Sequence, residues 1–316
     1  MSAGRLTGVC LCDRIDLPAL MGPAFAARAP HLALLAPEEI SDPAAVDFAL
    51  SFDPGDDAFA PYPNLRAIVG VGAGVERILA CPSRPRGLPV IRQIDADQAD
   101  QMAAFAVWHV VHWHRRMDLR LAAQARSDWM RPDVPASPRR FPVGVLGLGH
   151  LGRRIAAACA GLGHPVRGFS RSPGPKIDGV DAFHGDGLAD FLAGTRCLIA
   201  VLPLTDETRG MLDARLFAGL PEGAFVVNLG RGDHVVEADL LAALDAGRLA
   251  GASLDVFAEE PLPETHPFWR DPRVLVTPHM ASDPEPEAIA EATAAALADL
   301  AAGRRPRGQV DETAGY

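Results

Sequence analysis

Apolar residues occur along this chain in two series of strand-length runs, with turns or helical patterns between the runs. The first series lies within residues 1 to about 100, with runs at 9–12, 32–35, 48–52 and 67–71. The second begins at Phe141, with runs at 143–146, 166–169, 198–202, 225–228, 251–255 and 274–277. Short strands that alternate with helical patterns are typical of α/β units with a parallel sheet. The pattern therefore predicts two such units.

A helical pattern joins the two series. From Asp97 to about Arg126, apolar residues repeat at steps of three and four, which predicts one long helix. Three histidines lie on it, at His109, His112 and His114. No carboxylate or cysteine stands at ligand spacing from them, so we predict no metal site and interpret them as packing or interface residues.

The end of the chain is expected to return to the first series. A last helical pattern covers about 287–302, directly after Pro286. This predicts one discontinuous domain of residues 1–100 plus about 286–316. The second domain is predicted to be 101–285, which begins with the long helix and continues through a Pro- and Arg-rich connector at 127–140.

Composition restricts the class of partner. The chain has 316 residues, 48% of them hydrophobic and 22% charged, and a net charge of −10. This acidic balance argues against a nucleic-acid partner, because phosphate binding needs clustered Lys and Arg. No apolar run reaches the roughly 18 residues of a membrane span, so we expect no membrane partner. Five cysteines without zinc-type spacing, and the absence of a visible secretory signal, favour free thiols in the cytoplasm.

A glycine motif stands between the first strand and the first helix of the second series. It reads Gly147-Leu148-Gly149-His150-Leu151-Gly152. In this context the first glycine permits a tight turn, the second has no Cβ to block a pyrophosphate, and the third lets helix and strand pack closely. The helix N-terminus then offers unpaired N–H groups to phosphates. The motif predicts a dinucleotide site.

The next strand ends in Ser170-Arg171-Ser172. An NAD enzyme usually places Asp or Glu about 20 residues past the glycine motif, where it binds the ribose hydroxyls. Here the first acid downstream is Asp178. A guanidinium flanked by two hydroxyls suits a 2′-phosphate, so we predict that NADP(H) is preferred and NAD(H) possible. The alternative is that Arg171 only stacks on adenine.

Three later strands are followed by groups that suit the reduction of a 2-oxo acid. Arg231 lies on a glycine-flanked loop, Glu260 follows the next strand, and His279 follows the last one. A cation can hold the carboxylate and polarise the carbonyl, while a general acid protonates the new alkoxide. A carboxylate behind that acid keeps it charged. We expect the three to meet, because ligands bind at the carboxyl ends of strands in such sheets.

These motifs resemble those of the D-isomer-specific 2-hydroxyacid dehydrogenases, and the similarity spans essentially the whole chain. It rests on the segments 147–152, 228–232, 254–262 and 277–279. Within the family it is closest to a subgroup that reduces glyoxylate and hydroxypyruvate, through the segments 72–75, 112–117, 170–172, 234–237 and 308–316. The resemblance implies an α/β fold of two doubly wound, Rossmann-like domains with parallel sheets and a cleft between them. The discontinuous domain would bind the substrate and the other the dinucleotide.

The resemblance also implies roles for single residues. Arg231 would bind the substrate carboxylate and carbonyl, His279 would donate the proton, and Glu260 would hydrogen-bond His279 and favour its protonated form. Glu260 is chosen over the adjacent Glu259 because the acid of the family immediately precedes a proline. Asp255 would hold the nicotinamide carboxamide. The nicotinamide pocket would be lined by Leu202, Pro203, Leu229 and Gly230.

In the first domain, the family binds the substrate carboxylate through backbone N–H groups that match Ala73 and Gly74. Two departures from the family pattern border the substrate. Phe52 stands where the family carries a Trp, and the segment 280–286 lacks an Arg-Pro pair. The substrate could therefore be another 2-oxo acid, such as phenylpyruvate or a branched-chain one, because a pocket discriminates one methylene by only about 1–3 kcal/mol.

Two further expectations follow from the resemblance. The family is usually dimeric through the long helix and connector, so we expect a homodimer through residues 97–140. Some relatives use this fold as nicotinamide-sensing regulators without catalysis, since a fold alone does not fix a function. The combination of Arg231, Glu260 and His279 favours an enzyme over such a regulator.

Overall fold

The computed structural model describes residues 5–131 and 136–312. Residues 132–135 of the predicted connector and 313–316 of the C-terminal motif lie outside the described residues. The chain divides into two compact units. The first consists of residues 1–98 and 283–316, and the second of residues 99–282.

The elements are numbered in chain order. The strands are β1 (Leu6–Leu11), β2 (Leu32–Leu35), β3 (Phe48–Ser51), β4 (Ala67–Gly70), β5 (Val90–Ile91), β6 (Val143–Leu146), β7 (Val166–Ser170), β8 (Val180–His184), β9 (Cys197–Ala200), β10 (Ala224–Asn228), β11 (Leu249–Leu254) and β12 (Val274–Val276). The helices are α1 (Leu17–Arg28), α2 (Glu76–Ala80), α3 (Ala96–His114), α4 (Met117–Gln124), α5 (His150–Gly161), α6 (Leu188–Ala193), α7 (Ala214–Gly219), α8 (Glu237–Asp245) and α9 (Pro286–Ala301).

The first unit is built on a five-stranded sheet in the order β2-β1-β3-β4-β5, with every pair parallel. The terminal helix α9 packs against α1. It buries Ile289, Ala290 and Leu297 in the same apolar cluster as Phe25. The C-terminal segment therefore completes the core of the N-terminal unit.

The second unit is built on a seven-stranded parallel sheet in the order β12-β11-β10-β9-β6-β7-β8. Successive residues of its strands enter opposite apolar clusters, as the pleat requires. On β10, Val226 joins the cluster that includes residues of α6, α7 and α8, whereas Val227 joins the cluster that includes residues of α3 and α5. Both faces of the sheet are thus covered, and the α/β fold with two parallel sheets is confirmed.

The single helix predicted from 97 to 126 is wrong in one respect, because the chain breaks it between α3 and α4. Arg116 adopts the left-handed region at φ 49°. Its guanidinium binds the carboxylate of Asp118, with Nε 3.0 Å from Oδ1 and Nη2 2.8 Å from Oδ2. This local ion pair at the start of α4 accompanies a turn that apolar periodicity does not reveal.

The histidines of α3 take part in packing. Trp113 Nε1 donates to Ser253 Oγ at 2.9 Å, and Ser253 Oγ lies 2.9 Å from His109 Nδ1. Burial, with a smaller effect of His112, lowers the pKa of His109 to about 3, so this ring is neutral at physiological pH. His114 stacks on Phe141 at a centroid distance of 4.8 Å. Among the described helices, none combines the length and apolar character needed to cross a membrane.

Candidate active site

The segments that carry the predicted site residues of the second unit lie at one edge of the seven-stranded sheet. Parallel strands all end at the same edge, so the loops after neighbouring strands lie side by side. Across this edge the order is β12, β11, β10, β9, β6 and β7. In that order the loops carry His279, Glu260, Arg231, Leu202 with Pro203, the glycine motif, and Arg171. Reactive side chains therefore lie toward one end of the row and the candidate phosphate-binding groups toward the other.

The glycine motif has the shape of a phosphate cradle. Gly147 has φ 109°, and a Cβ there would lie 2.9 Å from the Val201 carbonyl oxygen. A Cβ on Gly152 would lie 1.7 Å from the Gly147 carbonyl oxygen, so no larger residue fits where helix and strand meet. Gly149 caps the N-terminus of α5, and no heavy atom lies within 4 Å of the place of its Cβ. The open space before the helix fits a dinucleotide pyrophosphate.

Arg171 lies at an exposed turn directly after β7. Ser170 Oγ donates to the Ser172 carbonyl oxygen at 2.8 Å, which closes the turn around the arginine. On the loop after β9, the pKa of Glu207 is lowered, mainly because Thr205 hydrogen-bonds its carboxylate, and the charge of Arg171 adds a small contribution. The segment thus presents a guanidinium and serine hydroxyls beside the glycine motif. Their role toward a 2′-phosphate stays a prediction.

The Arg231 loop is held by its own neighbours. Asn228, at the end of β10, donates from Nδ2 to the Arg231 carbonyl oxygen at 2.8 Å. Its Oδ1 accepts the Gly230 N–H at 3.2 Å. The guanidinium of Arg231 donates from Nη1 to the Gly230 carbonyl oxygen at 2.8 Å. The backbone that carries the guanidinium is therefore fixed on both sides of the residue.

Gly232 brings this loop against the segment that leads to Glu260. A Cβ on Gly232 would lie 1.8 Å from the Phe257 carbonyl carbon and 2.2 Å from the Ala258 nitrogen. Such a close approach of two backbones is possible only with glycine. The loops after β10 and β11 are therefore in direct contact, which places Arg231 and Glu260 on adjoining segments.

Glu260 and His279 form a hydrogen-bonded pair. His279 Nδ1 lies 2.8 Å from Glu260 Oε2, and the other carboxylate oxygen accepts the Phe257 N–H at 2.9 Å. The side chains are 44% and 21% exposed, respectively, so the imidazole is accessible while the carboxylate is held behind it. Because Nδ1 is engaged by the carboxylate, Nε2 is the nitrogen left to meet a substrate.

Asp255 organises the His279 loop. Its buried carboxylate accepts hydrogen bonds from Thr277 Oγ1 at 2.6 Å, from the Met280 N–H at 3.1 Å and from the Ala281 N–H at 3.0 Å. Its carbonyl oxygen accepts the His279 N–H at 2.7 Å, where His279 adopts φ 52°. These contacts were not predicted from the sequence. The predicted role of Asp255 toward the carboxamide stays a prediction.

The candidate substrate residues of the first unit also follow strands. Phe52 comes directly after β3 and is half-buried. Ala73 and Gly74 lie on the loop that connects β4 with α2. The two loops stand at the same edge of the five-stranded sheet, because β3 and β4 are parallel neighbours. Their contact with substrate stays a prediction.

Comparison with known proteins agrees with this geometry. The family described as "D-isomer specific 2-hydroxyacid dehydrogenase, NAD binding domain" matches residues 107–281. The glyoxylate/hydroxypyruvate reductase A of Serratia proteamaculans is 43% identical over 281 residues, which are 87% of this chain and 89% of the relative. The chain therefore belongs to the D-isomer specific 2-hydroxyacid dehydrogenases. It is an NAD(P)-dependent oxidoreductase that acts on a CH–OH group, which disfavours the non-catalytic regulator.

Two solved structures are similar over nearly the whole chain. A D-isomer specific 2-hydroxyacid dehydrogenase from Xanthobacter autotrophicus, in complex with NADPH and MES, has a TM-score of 0.93 and 36% identity, with 99% of this chain and 100% of that one covered. An NADPH-dependent glyoxylate/hydroxypyruvate reductase from Sinorhizobium meliloti, in complex with NADP and sulfate, has a TM-score of 0.92 and 32% identity, with 98% and 100% covered.

Proposed function

We propose that the chain is an NADP(H)-preferring reductase that converts glyoxylate or hydroxypyruvate to glycolate or glycerate. The observation that carries this proposal is the hydrogen bond between His279 and Glu260, where Glu260 lies on a loop that contacts the Arg231 loop. A cation, a general acid and a supporting carboxylate are the groups that reduction of a 2-oxo acid requires. The glycine motif on the same sheet edge fits the cofactor.

Each group has a separate task in the proposed reaction. The nicotinamide cofactor, when bound, supplies the hydride that adds to the carbonyl carbon. Arg231 holds the substrate carboxylate and stabilises the negative charge that develops on the carbonyl oxygen. His279 donates a proton from Nε2 to that oxygen and completes the hydroxyl group. Glu260, fixed by the Phe257 N–H, stabilises the charged imidazolium before the transfer.

The proposed site residues fall into two groups. Leu202, Pro203, Leu229 and Gly230 follow β9 and β10, between the glycine motif and the reactive end of the row. We assign the nicotinamide ring to this position, and the pyrophosphate to residues 147–152. In the other unit, the N–H groups of Ala73 and Gly74 would bind the substrate carboxylate, and Phe52 would border the substrate.

A substrate panel tests the proposed function. Initial rates are measured with NADPH and glyoxylate, hydroxypyruvate, pyruvate, phenylpyruvate and a branched-chain 2-oxo acid. We expect kcat/KM for glyoxylate or hydroxypyruvate to exceed that for phenylpyruvate by at least about tenfold, the discrimination that a few contacts in a small pocket provide. A preference for phenylpyruvate or the branched acid would assign the enzyme to another reductase of the family. No turnover of any member would contradict the proposal.

The cofactor preference is tested at Arg171. Replacing Arg171 with Ala removes the proposed partner of the 2′-phosphate, so kcat/KM for NADPH is expected to fall about 10–100-fold, because hydrogen bonds to charged groups contribute about 1.5–3 kcal/mol. The value for NADH should stay within about twofold. Lys176→Ala, an exposed cation on the same segment, is the matched control. Equal losses with both cofactors would show instead that Arg171 serves the adenine.

We also propose that the protein is a homodimer through residues 97–140, which include all but the first residue of α3, the whole of α4 and the segment after α4. The exposed apolar side chains there include Trp108, Val111, Leu121 and Trp129, and Trp129 is 93% exposed. Trp108 and Val111 are three residues apart on α3 and so share one face of that helix, and an exposed apolar face is typical of an interaction site. Sedimentation equilibrium should give twice the chain mass of 33.4 kDa, and Trp108→Asp should lower it toward the monomer. A monomeric wild-type protein at micromolar concentration would contradict this proposal.

We further propose that the protein works in the cytoplasm. The five cysteines, Cys10, Cys12, Cys81, Cys159 and Cys197, are all free thiols. Free thiols persist in a reducing compartment. Burial raises the pKa of Cys159 to about 12, so this thiol is unreactive as well. Cell fractionation should recover the NADPH-dependent activity with cytoplasmic markers, and recovery with periplasmic markers would contradict the assignment.

A further inference from the structure

The structure points to a new positioning residue, His234, which holds the Arg231 backbone and at the same time links it to the Pro203 loop. Its Nδ1 lies 3.0 Å from the Arg231 backbone nitrogen, and its Nε2 lies 3.3 Å from the Pro203 carbonyl oxygen. One ring thus connects the proposed substrate anchor with the proposed nicotinamide pocket. The inference rests on the proposed function, since it gives Arg231 and Pro203 those tasks.

The two partners determine the protonation of the ring. A backbone N–H can only donate, so Nδ1 carries no proton where it meets Arg231. A carbonyl oxygen can only accept, so Nε2 carries the proton where it meets Pro203. A neutral histidine with its proton on Nε2 satisfies both contacts together. A protonated ring would lose the acceptor that holds Arg231.

The surroundings keep the ring neutral and fixed. His234 is 0% exposed, and burial is the main cause that lowers its pKa, with the nearby charge of Arg231 acting in the same direction and Asp233 opposing it. A Cβ on Gly230 would lie 2.8 Å from His234 Nδ1, so the loop folds closely over the ring. The His234 carbonyl oxygen accepts the Leu212 N–H at 2.8 Å. The ring therefore has no freedom to exchange partners.

Two substitutions separate the two contacts. In His234→Asn, Oδ1 replaces Nδ1 as the acceptor for the Arg231 N–H, but the side chain is too short to reach Pro203. In His234→Gln, Nε2 replaces the ring donor to Pro203, but the acceptor for Arg231 is lost. A net hydrogen bond contributes about 1 kcal/mol, which corresponds to about a fivefold change in an equilibrium constant.

The experiment measures the KM for glyoxylate and the Kd for NADPH, the latter by fluorescence titration. For His234→Gln we expect KM to rise about fivefold and Kd to stay within about twofold. For His234→Asn we expect the reverse. His164→Gln is the matched control, because His164 is also a buried histidine that hydrogen-bonds a carbonyl oxygen. Its Nδ1 lies 2.9 Å from the Phe141 carbonyl oxygen. It should leave both constants unchanged.

Opposite changes in KM and Kd in the two His234 variants distinguish a positioning role from a general loss of packing. The inference is overturned if the Asn and Gln variants change the same constant. It is also overturned if both variants leave the KM for glyoxylate and the Kd for NADPH unchanged. A melting scan of each variant accompanies the kinetics, since a merely structural role would lower Tm and alter both constants together. Failure of the proposed function is recognised separately, because the wild-type enzyme would then reduce neither glyoxylate nor hydroxypyruvate in the same assay.

Discussion

Replacing Arg231 with Ala is expected to lower kcat/KM for the 2-oxo acid about 10³-fold, close to the largest effect of losing one group that stabilises a developing oxyanion. The variant loses both the charge that binds the carboxylate and the donor that polarises the carbonyl. The loop itself should persist, because Asn228 and His234 hold its backbone through contacts that do not involve the guanidinium. Steady-state kinetics with NADPH and glyoxylate measure the change.

Two further variants show whether the loss of kcat/KM in Arg231→Ala comes from the missing guanidinium. Arg231→Lys keeps the charge but not the planar, forked donor geometry, so an intermediate loss is expected. Arg209→Ala is the control: it removes an exposed guanidinium that forms an ion pair with Asp233, two residues after Arg231. It should leave kcat/KM within about twofold of the wild type, because exposed ion pairs contribute little. An Arg231→Ala enzyme with nearly full activity would count against the assigned site.

Replacing His279 with Gln is expected to lower kcat by about 10³-fold, within the range of 10²–10⁴ that a positioned general acid contributes. An amide cannot give up a proton at neutral pH, so the alkoxide would have to be protonated by water. Cofactor binding should be little changed, because His279 lies at the opposite end of the row of loops from the glycine motif and Arg171. Unchanged kcat would show that another group donates the proton.

Glu260→Gln tests the role of the Glu260 carboxylate behind His279. Without the carboxylate, His279 Nδ1 loses the charged acceptor that lies 2.8 Å away and orients the ring. The kcat for reduction is therefore expected to fall about 10–100-fold, because a hydrogen bond to a charged group contributes about 1.5–3 kcal/mol. Glu259→Gln is the matched control, because Glu259 is adjacent and exposed. An equal loss of kcat in both variants would mean that the carboxylate is misassigned.

Much of the second unit could be predicted from sequence. Its central strands are buried on both faces, and such strands appear as short aliphatic runs, as in Val143-Gly144-Val145-Leu146. The glycine motif could be located for the same reason, since it begins where such a run ends. The edge strand β8 was missed because its residues, Val180–His184, are half-buried or exposed and show no apolar run. Strand β5 was missed because it has only two residues.

The site was predicted only in part, for a physical reason. Arg231, Glu260 and His279 are recognisable because each is a reactive residue after a strand. The groups that orient them are recognisable only in space. His234 acts through a backbone N–H and a carbonyl oxygen, and Asp255 through Thr277 and two backbone N–H groups. The signals available for His234 were its position three residues after Arg231 and its place in the segment 234–237, which resembles the subgroup, and neither of them indicates its two contacts.

A crystal structure with NADPH and oxamate, an unreactive analogue of a 2-oxo acid, tests the central claim most directly. We predict that the oxamate carbonyl oxygen lies within about 3 Å of both His279 Nε2 and the Arg231 guanidinium, the reach that proton transfer and charge stabilisation require. The nicotinamide ring should face the adjacent carbon. Oxamate bound away from these two side chains, or a nicotinamide ring on another part of the sheet edge, would contradict the account.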